Sequence, residues 1–424
     1  MSDKASTVKS LAELISSYSE SYNQKQGLGA STEHESSAIS AACRDLGALV
    51  TAPENWVNTV AGSYNNSAAI CLALDLEIPR LLSQNRSASL DALIEATGAA
   101  PSLLRSVMTL CVENRILDEP SKETYALNGK STCLLNENFR AWIHYLVDDG
   151  LKMGSYLSVY AQKNSFKIPD GKHKTAFEMA FQTSETFYEY YHSTDKERGR
   201  RFDSAMERYF HRSTQAPIED IFNFDNLRPG ATLVDVGGGR GHHSIRLAMQ
   251  FPRISFTVQD FMCKKPTIIE EPAIAEAMSR VTWQQHDFFE KQPVRGASLY
   301  LLSHILMDHT DRFARGFVVF CTWNINMLTD LSECRKIIQH LAEAMTPSKS
   351  VLLVDDFLDP GKNGTLYSKA NILNLHLIAA FGRPFRTMEE WEKLFSSCLV
   401  PLSIRQVSSL DNGRVVFQLQ REVV

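Results

Sequence analysis

A glycine-rich turn near the middle of the chain constrains its fold more than any other feature. The apolar run Thr232–Val236 is followed at once by Gly237-Gly-Gly-Arg-Gly241 and then by a predicted helix over 244–250. Glycines at a strand-to-helix turn permit positive φ and let a ligand approach the backbone, while the helix N-terminus offers unpaired N–H groups. The spacing is Gly-x-Gly-x-Gly and not the dinucleotide pattern Gly-x-Gly-x-x-Gly, which disfavours NAD.

After residue 229 the chain alternates short β-branched runs with helices. The predicted strands are 232–236, 255–259, 281–284, 298–302 and 350–354. Strands spaced in this way, with helices between them, indicate a parallel, doubly wound sheet. We therefore predict the α/β class, with a Rossmann-like domain over 226–424 that carries a cofactor.

Three aspartates lie at the ends of successive predicted strands. Asp235 belongs to the first strand, Asp260 ends the second, 21 positions beyond Gly239, and Asp287 follows the third. A carboxylate at the end of the second strand can accept hydrogen bonds from both ribose hydroxyls, and Asp287 lies where it could meet an adenine amino group. Any one of these acids could be a surface helix cap, but their repetition favours a site. We predict that Asp235, Gly237, Gly239, Asp260 and Asp287 hold an adenosine-containing cofactor.

The first 225 residues divide into three parts. Residues 1–35 are polar and Ser-rich without sustained periodicity, which predicts a mobile segment. Residues 36–135 carry short helical patterns and a hairpin, and residues 136–225 carry long helical patterns rich in aromatic residues. Most of those aromatics fit a helix–helix core. We expect some of them to line a substrate pocket.

The part over 36–135 has a winged-helix pattern. It contains an amphipathic run over 68–82, a helix that begins at an N-cap Ser89 and stops at Gly98, a third helix over 101–114 and a small hairpin. The third helix carries a single basic residue, Arg105, which is poor material for phosphate contacts. Packing or dimerisation is therefore favoured over DNA binding.

Composition and charge narrow the function classes. The 424 residues carry a net charge of −5, which gives no bulk attraction to nucleic acid or to an anionic membrane. The eight cysteines are scattered, with no zinc-ligand spacing, and are typical of reduced thiols. Because the first forty residues are polar and Ser-rich, we expect no secretory signal, and no run approaches the ~20 apolar residues of a membrane span. We predict a cytoplasmic enzyme that acts on a small molecule, without a metal.

The glycine turn, Asp260, Asp287-Phe-Phe289 and Arg386-Thr-Met-Glu-Glu-Trp391 together resemble the fungal and plant class I O-methyltransferases. The resemblance covers about residues 67–418. It implies S-adenosylmethionine (SAM) as the cofactor, bound by the residues predicted above. It also implies that the winged-helix part is a dimerisation domain and that the protein forms a homodimer.

The resemblance fails at the residues that remove a proton. The family uses a histidine base in a His-Asp-Trp segment, which here reads Met307-Asp308-His309. A thioether cannot take a proton at neutral pH. The first acidic partner of that base aligns with Asp356, whereas the second is replaced by Phe385. Ordinary methylation of a phenol is therefore in doubt.

A SAM fold without its base also resembles the fungal SAM-dependent pericyclases of the leporin pathway type. In those enzymes SAM is a fixed positive charge, assisted by a pocket histidine. His144 falls at that histidine's place, although a core or surface role is equally open for a lone helical histidine. The pericyclase arginine is absent, because Met307 occupies its position while Asp308 remains.

Two further histidines and an insertion complete the candidates. His304 fits a core or supporting position better than a replacement base, and His309 lies at the edge of an extra segment over 309–328. That segment is either a real loop over the pocket or unspliced intron sequence.

The sequence supports three functions. The leading hypothesis is a pericyclase that dehydrates or cyclises a polyketide-derived substrate such as a pyridone. His144, Asp308 and Asp356 would be its polar groups, with Met307 and Phe385 shaping the pocket. The alternatives are an O-methyltransferase acting on an acidic phenolic or enolic hydroxyl, and a catalytically silent dimer partner.

Overall fold

The computed structural model describes residues 2–168, 174–211, 217–262, 265–266, 272–309, 332–359, 369–410 and 413–423. The chain folds into two compact units, Met1–Thr132 and Cys133–Val424. Among the described residues, no helix has both the length and the apolar character needed to cross a membrane.

The first unit consists of seven helices and a small three-stranded sheet. The helices are α1 (Ser2–Gly27), α2 (Glu33–Val50), α3 (Pro53–Ala61), α4 (Tyr64–Asp75), α5 (Ile78–Asn85), α6 (Leu90–Thr97) and α7 (Pro101–Glu113). The strands are β1 (Ser87–Ser89), β2 (Leu117–Ser121) and β3 (Thr124–Leu127), in the order β1-β3-β2. The buried core between them includes Ala73, Ile78, Leu82, Leu104 and Met108.

The chain begins with a helix where the sequence predicts a mobile segment. Helix α1 runs for 26 residues from Ser2. It pairs with α2 through the buried Glu35, which lies 2.8 Å from Lys25 Nζ and accepts a hydrogen bond from Ser21. Contacts with a second helix can order a segment whose own periodicity is weak, because most helical stability in proteins comes from packing.

Two predictions for the first unit have different outcomes. The capping prediction is confirmed, because Ser89 accepts a hydrogen bond from Ala92 N and Gly98 ends the same helix with φ 68°. The single run predicted over 68–82 is instead two helices, α4 and α5. Glu77 separates them in a left-handed conformation, with φ 55°.

The second unit opens with helices that enclose an aromatic core. These are α8 (Glu137–His144), α9 (Lys152–Ser155), α10 (Leu157–Lys163), α11 (Ala176–Ala180), α12 (Phe187–Glu189), α13 (Lys196–His211) and α14 (Ile218–Ile221). Two π-helical segments, Tyr145–Leu151 and Tyr190–Thr194, interrupt them. Phe177, Phe187 and Tyr191 are almost completely buried in this core, as the sequence predicts. π-Helical turns are rare and occur frequently at functional sites.

The rest of the second unit is a seven-stranded sheet in the order β6-β5-β4-β7-β8-β10-β9. The strands are β4 (Thr232–Val236), β5 (Ser255–Asp260), β6 (Val281–Gln285), β7 (Leu299–Ser303), β8 (Val351–Phe357), β9 (Leu402–Ser409) and β10 (Arg414–Arg421). The helices of this part are α15 (His242–Gln250), α16 (Pro272–Ser279), α17 (Glu333–Ala344), α18 (Lys369–Phe381) and α19 (Met388–Ser396).

The five predicted strands are present and parallel, which confirms the Rossmann-like prediction. Strands β9 and β10 are additional and antiparallel, so the sheet is mixed. Strand β9 lies at the edge of the sheet, and all its residues are partly buried or exposed. Few of them are apolar, as is common for edge strands. The hydrophobic pattern therefore gives a weaker signal there than in the central strands.

The predicted insertion over 309–328 lies almost entirely outside the described residues, which stop at His309 and resume at Ser332. The two flanks meet, because Cys334 Sγ lies 3.2 Å from His309 O and 3.5 Å from Leu306 O. Arg386 donates hydrogen bonds to the same two carbonyl oxygens. The chain on either side of the insertion is thus joined by direct contacts.

Candidate active site

The glycine turn follows β4 and forms a cradle against β5. The N–H groups of Gly237 and Gly238 both donate to Gln259 O, at 2.8 and 3.0 Å. A Cβ on Gly238 would lie 2.6 Å from Asp235 Cγ, so this position has no room for a side chain. Gly239 has φ 57°, and a Cβ there would meet no atom within 4 Å. The turn therefore packs closely against Asp235 at Gly238 and has open space beside Gly239.

Asp260 ends β5 beside this opening. Its two carboxylate oxygens accept hydrogen bonds from Gly239 N and Met262 N, both at 3.1 Å. A carboxylate has about four lone-pair sites, so each oxygen keeps capacity for another donor. Burial raises the pKa of Asp260, although these backbone bonds oppose the effect. The group is partly exposed and can accept hydrogen bonds from a diol.

Asp235 lies beneath the turn. Its carboxylate is 1% exposed and accepts a hydrogen bond from Ser244 Oγ at 2.8 Å. Burial raises the pKa of Asp235 to about 6. The described contacts show it supporting the turn and the start of α15, while a direct contact with a cofactor stays a prediction.

Asp287 lies two residues beyond β6. Its Oδ1 accepts a hydrogen bond from Phe289 N at 2.9 Å, which holds the turn that follows. Strands β4, β5 and β6 are adjacent and parallel, so Asp235, Asp260 and Asp287 all lie near the carboxyl-terminal ends of the strands. Nucleotides bind at these strand ends in doubly wound folds. The open glycine and the diol-accepting carboxylate fit an adenosine cofactor.

The position of the family's base lies in an apolar cluster. Met307 is 8% exposed and packs with Phe357, Ala370, Leu377 and Phe385. The rings of Phe357 and Phe385 stack at 5.0 Å. No side chain in this cluster can take a proton. Met307 and Phe385 therefore belong to a buried apolar cluster, and their roles in shaping a pocket and in a reaction stay predictions.

Asp356 borders this cluster with an unsatisfied oxygen. It is 1% exposed, and in the part of the chain that is described its Oδ2 has no hydrogen-bond partner. Oδ1 accepts from Phe357 N at 2.7 Å. Burial raises the pKa of Asp356 to about 7, with a smaller contribution from the charge of Asp308. An unpaired buried acceptor costs free energy unless a ligand supplies a donor.

Asp308 lies next in the chain and is held by Tyr188. The Tyr188 hydroxyl donates to Asp308 Oδ2 at 2.5 Å. Burial raises the pKa of Asp308 to about 6, although the hydrogen bond from Tyr188 and the charges of Arg383 and Arg386 oppose it. The residue as a whole is partly exposed. The pKa of its carboxyl group lies near neutrality, which suits a general base.

His144 lies at the end of α8. Its Nδ1 is 3.7 Å from Asp148 Oδ2, four residues along the same helical stretch. Its neighbour Tyr145 turns instead toward α18, where its hydroxyl lies 2.7 Å from His376 Nε2. Because consecutive helical residues point about 100° apart, the two side chains leave the helix in different directions. The catalytic role of His144 stays a prediction.

The two other histidines belong to ring stacks. His304 stacks on Phe357 at 5.2 Å, and burial lowers its pKa. His309 contacts the edges of Phe288 and Phe289, both at 5.3 Å, and its Nδ1 lies 3.5 Å from Glu333. The packing of His304 agrees with the core position that the sequence favours.

Several site residues lie beyond the sequence prediction. Tyr188, which holds Asp308, and His376, which pairs with Tyr145, come from different helices. The aromatic content of residues 136–225 signals a pocket, but not which ring faces a carboxylate. We use "the aromatic wall" for the linked rings of Tyr145, Phe187, Tyr188, Phe202 and Phe381, whose neighbouring centroids are 5.2 to 6.4 Å apart.

Comparison with known proteins shows the family to which this chain belongs. The O-methyltransferase domain matches residues 164–398, and the O-methyltransferase dimerisation domain matches residues 59–137. The chain is 42% identical to the N-methyltransferase nanE of Aspergillus nanangensis, with 97% of each chain covered. It is 33% identical to the O-methyltransferase xanE of Aspergillus fumigatus, covering 88% of this chain and 81% of the relative.

Solved structures show the same fold. OxaC in complex with sinefungin and meleagrin superposes with a TM-score of 0.76 at 18% identity, covering 98% of each chain. LepI in complex with SAM superposes with a TM-score of 0.75 at 18% identity, covering 97% of this chain and 100% of that one. The chain therefore belongs to the O-methyltransferase family, as a SAM-dependent enzyme with a Rossmann-like domain and an N-terminal dimerisation domain.

Proposed function

We propose that this enzyme transfers the methyl group of SAM to a nitrogen atom of an aromatic small molecule, in fungal-type secondary metabolism. The observation that carries the proposal is the replaced base. Met307 and Phe385 are buried in an apolar cluster where the family has a histidine and an acid. Asp356, which that histidine would engage, has one oxygen without a hydrogen-bond partner in the described parts of the chain.

A nitrogen nucleophile suits this arrangement better than a phenol. A neutral amine already has an available lone pair, whereas a phenol, with a pKa near ~10, must first lose its proton. Asp308 and Asp356 have pKa values raised to about 6 and about 7. Such carboxyl groups are weak bases toward a phenol, but they readily take the acidic proton of a nitrogen that is being alkylated.

The residues divide the work between cofactor and acceptor. SAM supplies an electrophilic methyl group on a sulfonium centre. Asp260 would accept hydrogen bonds from the ribose hydroxyls, and Asp287 would lie beside the adenine. The turn with Gly237 and Gly239 would bind the rest of the cofactor. Asp308, fixed by Tyr188, would orient the nitrogen and accept its proton at a carboxylate oxygen.

The pocket supports an aromatic acceptor. Tyr188 stacks on Phe381 with centroids 5.9 Å apart and only 24° between the ring planes. Its hydroxyl reaches Asp308 at the same time. A flat molecule lying along the aromatic wall would present a ring nitrogen or an attached amine to the carboxylate. The N-methyltransferase nanE, 42% identical over nearly the whole chain, supports the same chemistry.

One assay tests the proposal. Purified protein and SAM are incubated with matched acceptors, N-methylaniline, anisidine and guaiacol, and S-adenosylhomocysteine (SAH) and methylated products are quantified. We expect SAH and an N-methyl product in equal amounts from the amines, and little product from guaiacol. Methylation of guaiacol at a comparable rate, or of the phenol alone, would contradict the proposal.

A pericyclase is the second candidate, because the lost base also suits an enzyme that keeps SAM unreacted. The fold of LepI, an 18% identical structure, is consistent with it but carries only the fold. Relatives that are 42% and 33% identical are named methyltransferases, which favours methyl transfer. A cyclised or dehydrated product formed without SAH would support the pericyclase and overturn the first proposal.

We further propose a homodimer in the cytoplasm. The matched dimerisation domain over residues 59–137 supports the dimer. The free thiols of Cys43, Cys111 and Cys398 are typical of a reducing compartment. Light scattering should give twice the monomer mass, and a fluorescent fusion should fill the cytoplasm. A monomer mass would contradict the first expectation, and a vesicular signal the second.

A further inference from the structure

Tyr145 and His376 form a polar pair that the proposed reaction does not use. The hydroxyl of Tyr145 lies 2.7 Å from His376 Nε2, and their rings meet nearly edge to face at 5.4 Å. Tyr145 begins the π-helical segment Tyr145–Leu151, and His376 lies in α18. The pair thus joins two elements of the second unit, and neither residue belongs to the glycine turn or to the apolar cluster.

The aromatic wall connects the pair to Asp308. Tyr145 contacts Phe202 at 5.2 Å, and Phe202 in turn contacts Tyr188 at 6.2 Å. The charge of Asp308 contributes to the raised pKa of Tyr145, behind burial and Asp149. The hydroxyl of Tyr145 therefore lies within electrostatic range of the carboxylate that faces the acceptor nitrogen.

The pair is uncharged near neutral pH. Burial lowers the pKa of His376 to about 4 and raises that of Tyr145 well above its usual range. A neutral imidazole has one N–H donor and one acceptor nitrogen. Since the phenol is the stronger donor, it donates to Nε2, and the proton of His376 is then carried by Nδ1.

The edge of His376 that carries Nδ1 lies beside Gly150. A Cβ at position 150 would be 3.5 Å from Cε1 and 3.6 Å from Nδ1, so a longer side chain there would cover this edge. His376 is only half-buried, in contrast to Tyr145 at 5% exposed. Tyr145 therefore fixes the ring through Nε2 and leaves Nδ1, on the edge beside Gly150, as the remaining polar atom of His376.

We propose that His376, oriented by Tyr145, donates a hydrogen bond from Nδ1 to a carbonyl oxygen of the methyl acceptor. This rests on the proposed function and deepens it. The acceptor then carries two features, a nitrogen that meets Asp308 and an uncharged carbonyl that meets His376. A neutral N–H group can donate a hydrogen bond to a carbonyl oxygen without requiring a charge on the substrate. Tyr145 acts as a positioning residue.

Two matched probes test the contact without methyl transfer. 3-Acetylaniline and 3-ethylaniline have similar shape and the same amine, and only the first has a carbonyl oxygen. Their dissociation constants are measured by calorimetry on full-length protein saturated with SAH. We expect the acetyl probe to bind about tenfold more tightly to the wild-type protein, as one hydrogen bond allows.

The variants separate recognition from structure. His376→Leu should reduce the ratio between the two probes to about one, His376→Gln should restore part of it, and Tyr145→Phe should reduce it by loosening the ring. Tyr160→Phe is the matched control, because its hydroxyl bonds the backbone of Gly382 at 3.4 Å. This control should keep the wild-type ratio.

Several outcomes would overturn the proposal. Equal affinities for the two probes in the wild-type protein, or no measurable binding of the acetyl probe, would contradict it. So would an unchanged ratio in a His376→Leu variant that still binds SAH. Long-range proton–nitrogen NMR gives a ligand-free check, since a proton on Nε2 of His376 would contradict the assigned donor.

The same experiment separates this inference from the proposed function. Probe discrimination that depends on His376, together with no methylation of any amine, would leave the carbonyl contact standing and remove the N-methyltransferase. Amine methylation, together with a ratio of probe affinities that does not change in His376→Leu, would support the N-methyltransferase and remove the carbonyl contact.

Discussion

Asp308 is the residue at which the proposed reaction depends on pH. Its pKa is raised to about 6 by burial, so its proton-accepting carboxylate form prevails above that pH and is lost below it. We predict that kcat/KM for an aromatic amine rises through pH 6 and then levels. Asp308→Asn should remove this acid limb and lower kcat by about 10²-fold, the smaller contribution of a general base.

Tyr188→Phe is the informative partner variant. The Tyr188 hydrogen bond lowers the pKa of Asp308, so its loss should move the acid limb to higher pH. An acid limb that persists near pH 6 in Asp308→Asn would show that another group titrates.

Met307 is the residue that separates this enzyme from methylation of phenols. Replacing it by histidine should place an imidazole beside Asp356, whose Oδ2 lacks a partner in the described structure. We predict that Met307→His increases methylation of guaiacol by at least about 10²-fold. The rate of SAH release measures this gain.

Met307→Leu is the control, because it keeps the apolar volume and adds no base. It should show no gain with guaiacol. The double variant Met307→His with Asp356→Asn should lose most of the gain, because the imidazole then lacks its carboxylate. A gain that survives Asp356→Asn would argue against this pairing.

At the scale of elements, the turn between β4 and α15 depends on a missing side chain. A methyl group on Gly238 would lie 2.6 Å from Asp235 Cγ, closer than side chains tolerate, and Asp235 is buried with no room to retreat. We predict that Gly238→Ala weakens SAH binding at least about tenfold in calorimetry, through displacement of the turn.

Gly154→Ala is its matched control, since a Cβ there would meet no atom within 4 Å. Its affinity for SAH should equal that of the wild-type protein. Equal affinity in Gly238→Ala would mean that the turn is not the cofactor cradle.

At the scale of the whole molecule, the second unit closes around its predicted insertion. His309 O and Cys334 Sγ are 3.2 Å apart, and Arg386 bonds both groups. We predict that deletion of residues 310–328 leaves the melting temperature and SAH affinity close to the wild-type values, because three residues remain before Ser332. Differential scanning calorimetry measures the first and titration the second. Failure to fold would show that the segment supplies core contacts.

The sequence predicts much of the fold because its signals are local. The strand Thr232–Val236 coincides with β4, and Gly98 ends a helix as predicted, since periodicity and glycine conformation act within a few residues. The predictions fail where packing between elements decides. Helix α1 forms against α2, and β9 pairs with β10 at the edge of the sheet.

The candidate site divides in the same way. The sequence by itself determined the glycine turn, the acids that follow the strands and the loss of the base at Met307, because each is a residue type at a fixed spacing. Only the tertiary structure decided that Tyr188 holds Asp308, that Tyr145 holds His376 and that Asp356 Oδ2 has no hydrogen-bond partner among the described residues. These contacts join residues up to 231 positions apart in the chain. The pKa values of the residues involved depend on burial, which no local sequence pattern encodes.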